Sequence, residues 1–172
     1  MKILRTPIQE SDVSILRAGD EVALSGIIYT ARDQAHKRLV QCKGKLPFDI
    51  KGAAIYYCGP AKAPKGRAIG SCGPTTSSRM DAFTAQLLQK GLKAMIGKGR
   101  RSQGVISAIK KYKAVYFIAP AGCGALIAGY VRKAEPVAYG DLGPEQILRL
   151  EVNSLPLIVA VDSRGGCVYG KD

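Results

Sequence analysis

The sequence predicts an α/β fold with a mixed, largely parallel central sheet, built as one domain over residues 1–172. Short runs of β-branched and aliphatic residues alternate with helical apolar stripes along most of the chain, the pattern of strand–helix–strand units. A chain of 172 residues that is 47% hydrophobic can bury one substantial core and is short for two. No internal repeat or low-complexity tract divides it.

The elements follow in order. "EVALSGIIYT" at 21–30 is rich in β-formers and predicts a strand feeding a helix. In "TARDQAHKRLVQCK", Thr30 and Asp33 have capping-box spacing, Ala35, Leu39 and Cys42 form an apolar stripe, and Arg32 lies in the first turn. "GAAIYYCG" at 52–59 has the pattern of a short buried strand. The Gly/Pro-punctuated stretch 60–76 that follows is long enough to predict a working loop. From Ser77 the spacing of Met80, Phe83, Leu87, Leu88 and Leu92 predicts a helix, with Gly91 near its end. "MIGKGRRS" at 95–102 passes from an apolar run into a basic turn, and "SQGVISAIKKYK" resumes as a helix with Val105, Ile106 and Ile109 inward. "AVYFIAP" and "EPVAYGD" read as strands, "GCGALIAGYV" as a buried helix or turn, "GPEQILRLEV" as a short helix, and "LPLIVAVDSRGG" as a final strand and turn.

The formal net charge is +13, and it is concentrated. Residues 51–134 carry fifteen Lys/Arg and one acid, Asp81, whereas the rest of the chain holds eleven bases and twelve acids. Such a field suits nucleic acid, an acidic partner or small anions. A nucleic-acid module is the weakest of these, because aromatic residues make up only 6% of the chain and no aromatic-rich stacking strand is visible. Five cysteines include no CxxC pair and leave one odd, which argues against a disulfide framework and against a metal site within the chain. The longest apolar run, at 124–131, is too short and too glycine-broken to span a bilayer, and the N-terminus lacks a signal-like apolar stretch, so a soluble, cytoplasmic protein is expected.

Several chemistries are excluded by spacing. "GKGRRS" lacks the GxxxxGK[ST] order of a phosphate loop, and "GCGALIAG" places Ile127 where a dinucleotide fingerprint needs its third glycine. With one histidine, His36, and no Gly-x-Ser-x-Gly turn, a hydrolase triad is unsupported. His36 stands one turn after Arg32, so both can serve one site, and Asp33 suits a helix start. The stretch "GSCGPTTSSRMD" at 70–81 is the strongest candidate. Gly73 allows close approach, Pro74 pre-sets a helix start, Thr75 to Ser78 offer hydroxyls and amides, and Arg79 adds a bidentate guanidinium. Together they predict a carboxylate-sized anion site.

"SGIIYTARDQAHKRL", "YYCGPAKAPKGRAIGSCGPTTSSRMD" and "GKGRRS" resemble the β subunit, or C-terminal domain, of the class I iron-sulfur fumarate hydratases and the related tartrate dehydratases. The resemblance runs from about residue 20 to the final strand. It implies a swivelling β/β/α domain that completes an active site on an α subunit carrying a 4Fe-4S cluster, in a hetero-oligomer without membrane attachment. It implies that Arg32 and Arg79 bind substrate carboxylates, that Lys98 assists them, and that Thr75 is the base at the substrate carbon. Asp33, His36 and Gly73 are then supporting residues. The activity implied first is reversible hydration of fumarate to (S)-malate, with dehydration of L(+)-tartrate to oxaloacetate as the alternative.

Overall fold

A computed structural model describes residues 1–170. Its elements are β1 (Lys2–Arg5), α1 (Glu10–Ser14), β2 (Glu21–Thr30), α2 (Asp33–Gln41), β3 (Ala54–Tyr56), a 3-10 turn (Ser77–Met80) leading into α3 (Asp81–Gln89), β4 (Ala94–Gly97), α4 (Gln103–Tyr112), β5 (Val115–Ile118), α5 (Gly124–Ala128), β6 (Val131–Ala138), a 3-10 segment (Gly140–Glu145) and β7 (Ile147–Val161).

The strands form one sheet in the order β1-β2-β3-β4-β5-β7-β6, with β2 also paired to β7. Strands β1 to β5 pair with one another in parallel, and β7 is antiparallel to β2, β5 and β6. Because β7 bonds to β5 and to β2, strands β2, β3, β4, β5 and β7 close into a barrel-like ring, with β1 and β6 as extensions. The long β7 bends to do this. Its register with β2 shifts between Leu24 and Gly26, Ser154 adopts φ +54°, and the Ser154 amide donates to Ser25 Oγ at 2.9 Å. Gly26, at φ +108°, is required at the same place, since a Cβ there would lie 2.4 Å from Thr6 Oγ1.

Alternation along the strands sorts the core into two clusters. Tyr56, Ile96, Phe117 and Val159 share one with Leu24, Leu150 and Val152. Their neighbours Ile55, Met95, Tyr116 and Ala160 face the helices, against Ala35 and Leu39 of α2, Leu87 and Leu88 of α3, and Val105 and Ile109 of α4. Val105 and Ile109 are inward as expected, while Ile106 is only partly covered.

The α/β class and its mixed, mainly parallel sheet agree with the sequence reading; the ring closure was not foreseen. Two local expectations are corrected. The stretch 143–152 is not a short helix: the 3-10 segment stops at Glu145, and β7 runs unbroken from Ile147 to Val161, because β2 and β6 bond its two edges. Thr30 is not a helix cap. It ends β2, and its buried Oγ1 accepts from the Leu148 amide at 3.0 Å and donates to Gln146 O at 3.3 Å. The residue at the cap position of α2 is Arg32. Among the described residues no helix is long and apolar enough to cross a membrane.

Candidate active site

Parallel strands bring their carboxyl ends to one side of a sheet, and crevices there commonly receive ligands. Arg32 follows β2, Cys58 and Gly59 follow β3, and Lys98 follows β4. The segment bearing Pro74 to Ser77 is bonded across these ends. The Thr75 amide donates to Tyr57 O at 2.7 Å, the Ser77 amide donates to Lys98 O at 2.9 Å, and Thr76 forms a parallel bridge with Lys98. Backbone pairing thus holds Thr75 and Thr76 beside Tyr57 and Lys98.

This geometry corrects the expected helix-start site. Thr75 lies before the first turn, which starts at Ser77, and its amide and that of Ser77 are already committed to carbonyls. Part of the hydroxyl surplus has a structural use. Ser77 is buried, and its Oγ accepts from Tyr116 Oη at 2.9 Å. Gly97 makes room for it, since a Cβ at 97 would fall 2.0 Å from Ser77 Oγ. The close approach near Gly73 is made by α5: a Cβ on Gly124 would lie 2.8 Å from the Gly73 amide nitrogen, whereas one on Gly73 meets only Gly124 Cα at 3.7 Å.

The arginines do converge. Arg79 Nε donates to Asp33 Oδ1 at 3.0 Å while its Nη2 lies 2.9 Å from Oδ2, a two-point grip that leaves Nη1. Arg32 Nε is 3.9 Å from the same Asp33 Oδ2 and 3.6 Å from Oε1 of Glu145. The Arg32 side chain lies along Gly59, where a Cβ would approach Nη1 to 2.9 Å and Cδ to 3.1 Å. Among the described residues neither terminal amino group of Arg32 has a hydrogen-bond partner, and the Lys98 ammonium has no hydrogen-bond or ion-pair partner. Three cationic side chains therefore retain donors at this end of the sheet.

His36 is fully buried, with its ring edge-on to Tyr57 at 5.2 Å and tilted against Phe83. Nδ1 lies 2.8 Å from the Arg32 carbonyl, which can only accept, so the neutral ring carries its proton there. Burial lowers its pKa to about 4; the bond to Arg32 O opposes the shift and the nearby Arg101 charge adds to it. His36 is thus an interior brace on the first turn of α2.

Sequence reasoning missed two residues. Arg101, in the basic "GKGRRS" turn, is buried: it donates from Nε to Asp81 Oδ1 at 2.7 Å and from Nη2 to Thr84 Oγ1 at 2.7 Å, and lies over the rings of Tyr57 and Tyr116. The Asp81 carboxylate also accepts from the Ser102 amide, fixing the turn after Lys98. Glu145 is the second, reaching Arg32 from the far side of the chain fold. No local signal marks either role. Of the thiols, Cys58 and Cys72 are buried, and the neighbouring Cys72 thiol together with burial pushes Cys58 far above the thiol range. Among the described residues no three His, Cys, Asp or Glu side chains group to hold a metal ion.

Cationic donors at the carboxyl ends of parallel strands, on a sheet closed by an antiparallel strand, make this an α/β domain with a cationic site. The chain belongs to the Fumarase C-terminus family, which matches residues 2–171. It is 39% identical over 169 residues to the L(+)-tartrate dehydratase subunit beta of Escherichia coli (strain K12), covering 95% of this chain and 84% of that one. It is 40% identical over 171 residues to a putative L(+)-tartrate dehydratase subunit beta of Methanocaldococcus jannaschii, covering 94% and 88%. The aerobic class I fumarate hydratase of Salmonella typhimurium is 40% identical over 169 residues, which are 94% of this chain and 29% of that longer protein. The family is one of hydro-lyases, and this chain is of its β-subunit type.

Proposed function

We propose that the chain is the β subunit of a hydro-lyase acting on a hydroxy-dicarboxylate, with L(+)-tartrate as its first substrate and oxaloacetate as product. The observation that carries this is the pair Arg32 and Arg79, each held by carboxylate contacts on its Nε side and each with terminal donors left at the carboxyl ends of the parallel strands. The substrate preference rests on the two tartrate dehydratase relatives, which match over most of both chains. Hydration of fumarate to (S)-malate is the second reading, supported by the similarity to a class I fumarate hydratase.

In this reading Arg32 and Arg79 bind the two substrate carboxylates, and Lys98 offsets the negative charge that develops when a proton leaves the carbon beside a carboxylate. Thr75 takes that proton. It does so as the alkoxide, its hydroxyl proton having passed to solvent before the substrate reacts, and the surrounding cations are what lower the cost of that anion. His36 and Asp33 support the arginines, and Gly73 carries the turn that presents Thr75. The partner is an α subunit in a cytoplasmic hetero-oligomer. A 4Fe-4S cluster belongs to that subunit in our proposal, as the family resemblance implies. Arg32, Arg79, Lys98 and Thr75 act on the substrate through their own side chains.

Anaerobic reconstitution with the cognate α chain tests the reading. Oxaloacetate should form from L(+)-tartrate, and Thr75→Ala should lower turnover by about 10²-fold or more with KM changed only a few-fold. Equal losses in both constants would make Thr75 a positioning group. Faster turnover of malate or fumarate than of tartrate would select the second reading.

A further inference from the structure

Glu145 has no part in the sequence motifs, yet it is built into the site. Its Oε1 lies at ion-pair distance, 3.6 Å, from Arg32 Nε, and neither atom has a hydrogen-bond partner although both are sealed from solvent. Two side-chain staples fix the segment that carries it. On one side Arg38 of α2 makes a two-point contact with Asp141, Nη1 donating to Oδ1 at 2.8 Å and Nη2 to Oδ2. On the other, Thr30 Oγ1 bonds both Gln146 O and the Leu148 amide, tying the residues after Glu145 to the end of β2. Arg32 stands two residues beyond Thr30.

A carboxylate oxygen sealed from solvent without a hydrogen bond is costly unless a charge lies against it, and Oε1 is such an atom on a side chain that is otherwise partly exposed. Here that charge is Arg32, and the contact is made at Nε, which leaves the Nη1–Nη2 end of the guanidinium without a partner among the described residues. Asp33 closes the same edge at 3.9 Å. We propose that Glu145 is a positioning residue for Arg32: with Asp33 it fixes the Nε edge of the guanidinium, so that the terminal amino groups over Gly59 are presented to a substrate carboxylate. The inference rests on the functional reading above for its substrate class. The positioning itself concerns only the chain's own atoms.

Two measurements separate the claims. In the reconstituted α/β enzyme, Glu145→Gln keeps the shape and removes the charge. It should raise KM for the dicarboxylate about tenfold with kcat within threefold, the signature of lost ground-state binding. In an Arg32→Lys background the same change should move KM less than twofold, because the effect passes through Arg32. An equal rise in both backgrounds, an unchanged KM, or a lowered KM would overturn the proposal; the last would make Glu145 a competitor of the substrate. The second measurement is independent of activity. Guanidine nitrogens attack phenylglyoxal only when free to turn toward it, so peptide-level mass spectrometry of the full chain should show Arg32 modified at least threefold faster in Glu145→Gln, with Arg79 within twofold of its wild-type rate. Unchanged reactivity at Arg32 overturns the positioning role. Absence of turnover on every hydroxy-dicarboxylate, with Arg32 reactivity raised as stated, would instead remove the substrate reading and leave the positioning intact.

Discussion

The buried His36 should make the protein less stable as pH falls through the mildly acidic range. Its pKa is lowered from 6.5 to about 4, chiefly by burial. The unfolded chain therefore takes up the proton first as pH falls. Stability from the neutral ring is complete above pH 6.5 and is lost progressively down to about pH 4. Linkage with those two values gives a loss of about 2 kcal/mol at pH 5 and about 3 kcal/mol in the limit. Urea unfolding from pH 8 to pH 4.5 on the wild type and on His36→Gln measures it, since the difference in slope isolates this group from the carboxylates that also titrate. Because His36 is the only histidine in the sequence, its imidazole C2–H signal in a proton NMR titration is unambiguous. That signal should stay at its neutral position down to about pH 5. A midpoint near 6.5, or equal pH dependence in the two proteins, would refute the claim that His36 is a neutral interior brace.

Other outcomes follow from the same geometry. Arg101→Met leaves Asp81 without its buried partner and should cost about 3 kcal/mol in urea unfolding. Gly97→Ala drives a methyl into Ser77 Oγ and Tyr57 Cδ2, so it should destabilise the chain by about 1–3 kcal/mol, read as a lowered thermal midpoint. Asp33→Asn removes the charge that grips Arg79 at two points, and kcat/KM of the reconstituted enzyme should fall about tenfold while the unfolding midpoint moves little.

Much of the fold was legible because its signals are local. Helices α2, α3 and α4 follow apolar spacing, and β2, β3 and β5 follow short runs of β-formers. The proposed site residues were singled out for a different reason: Arg32, Thr75, Arg79 and Lys98 sit in motifs long enough to carry a resemblance. What escaped depends on ring closure. The first half of β7 has a sequence that suits a helix, and only bonding to β2 and β6 makes it a strand. Glu145 meets Arg32 only once that closure has occurred, so no spacing within either segment points to it. The short β1 and α1 carry too little pattern to stand out. Arg101 read as part of a solvated basic turn, yet it lies in the core because Asp81 and two tyrosine rings surround its charge.

The central claim is that this chain contributes the carboxylate-binding and proton-transfer groups of a two-subunit hydro-lyase. Steady-state turnover of L(+)-tartrate, fumarate and malate by the anaerobically reconstituted α/β enzyme, with wild-type chain and with Thr75→Ala, Arg32→Lys and Arg79→Lys, tests it most directly. The account expects tartrate to be the best substrate, Thr75→Ala to act on kcat, and both arginine variants to act on KM. Full turnover with Thr75→Ala, or no turnover of any of the three acids by the wild type, would contradict it.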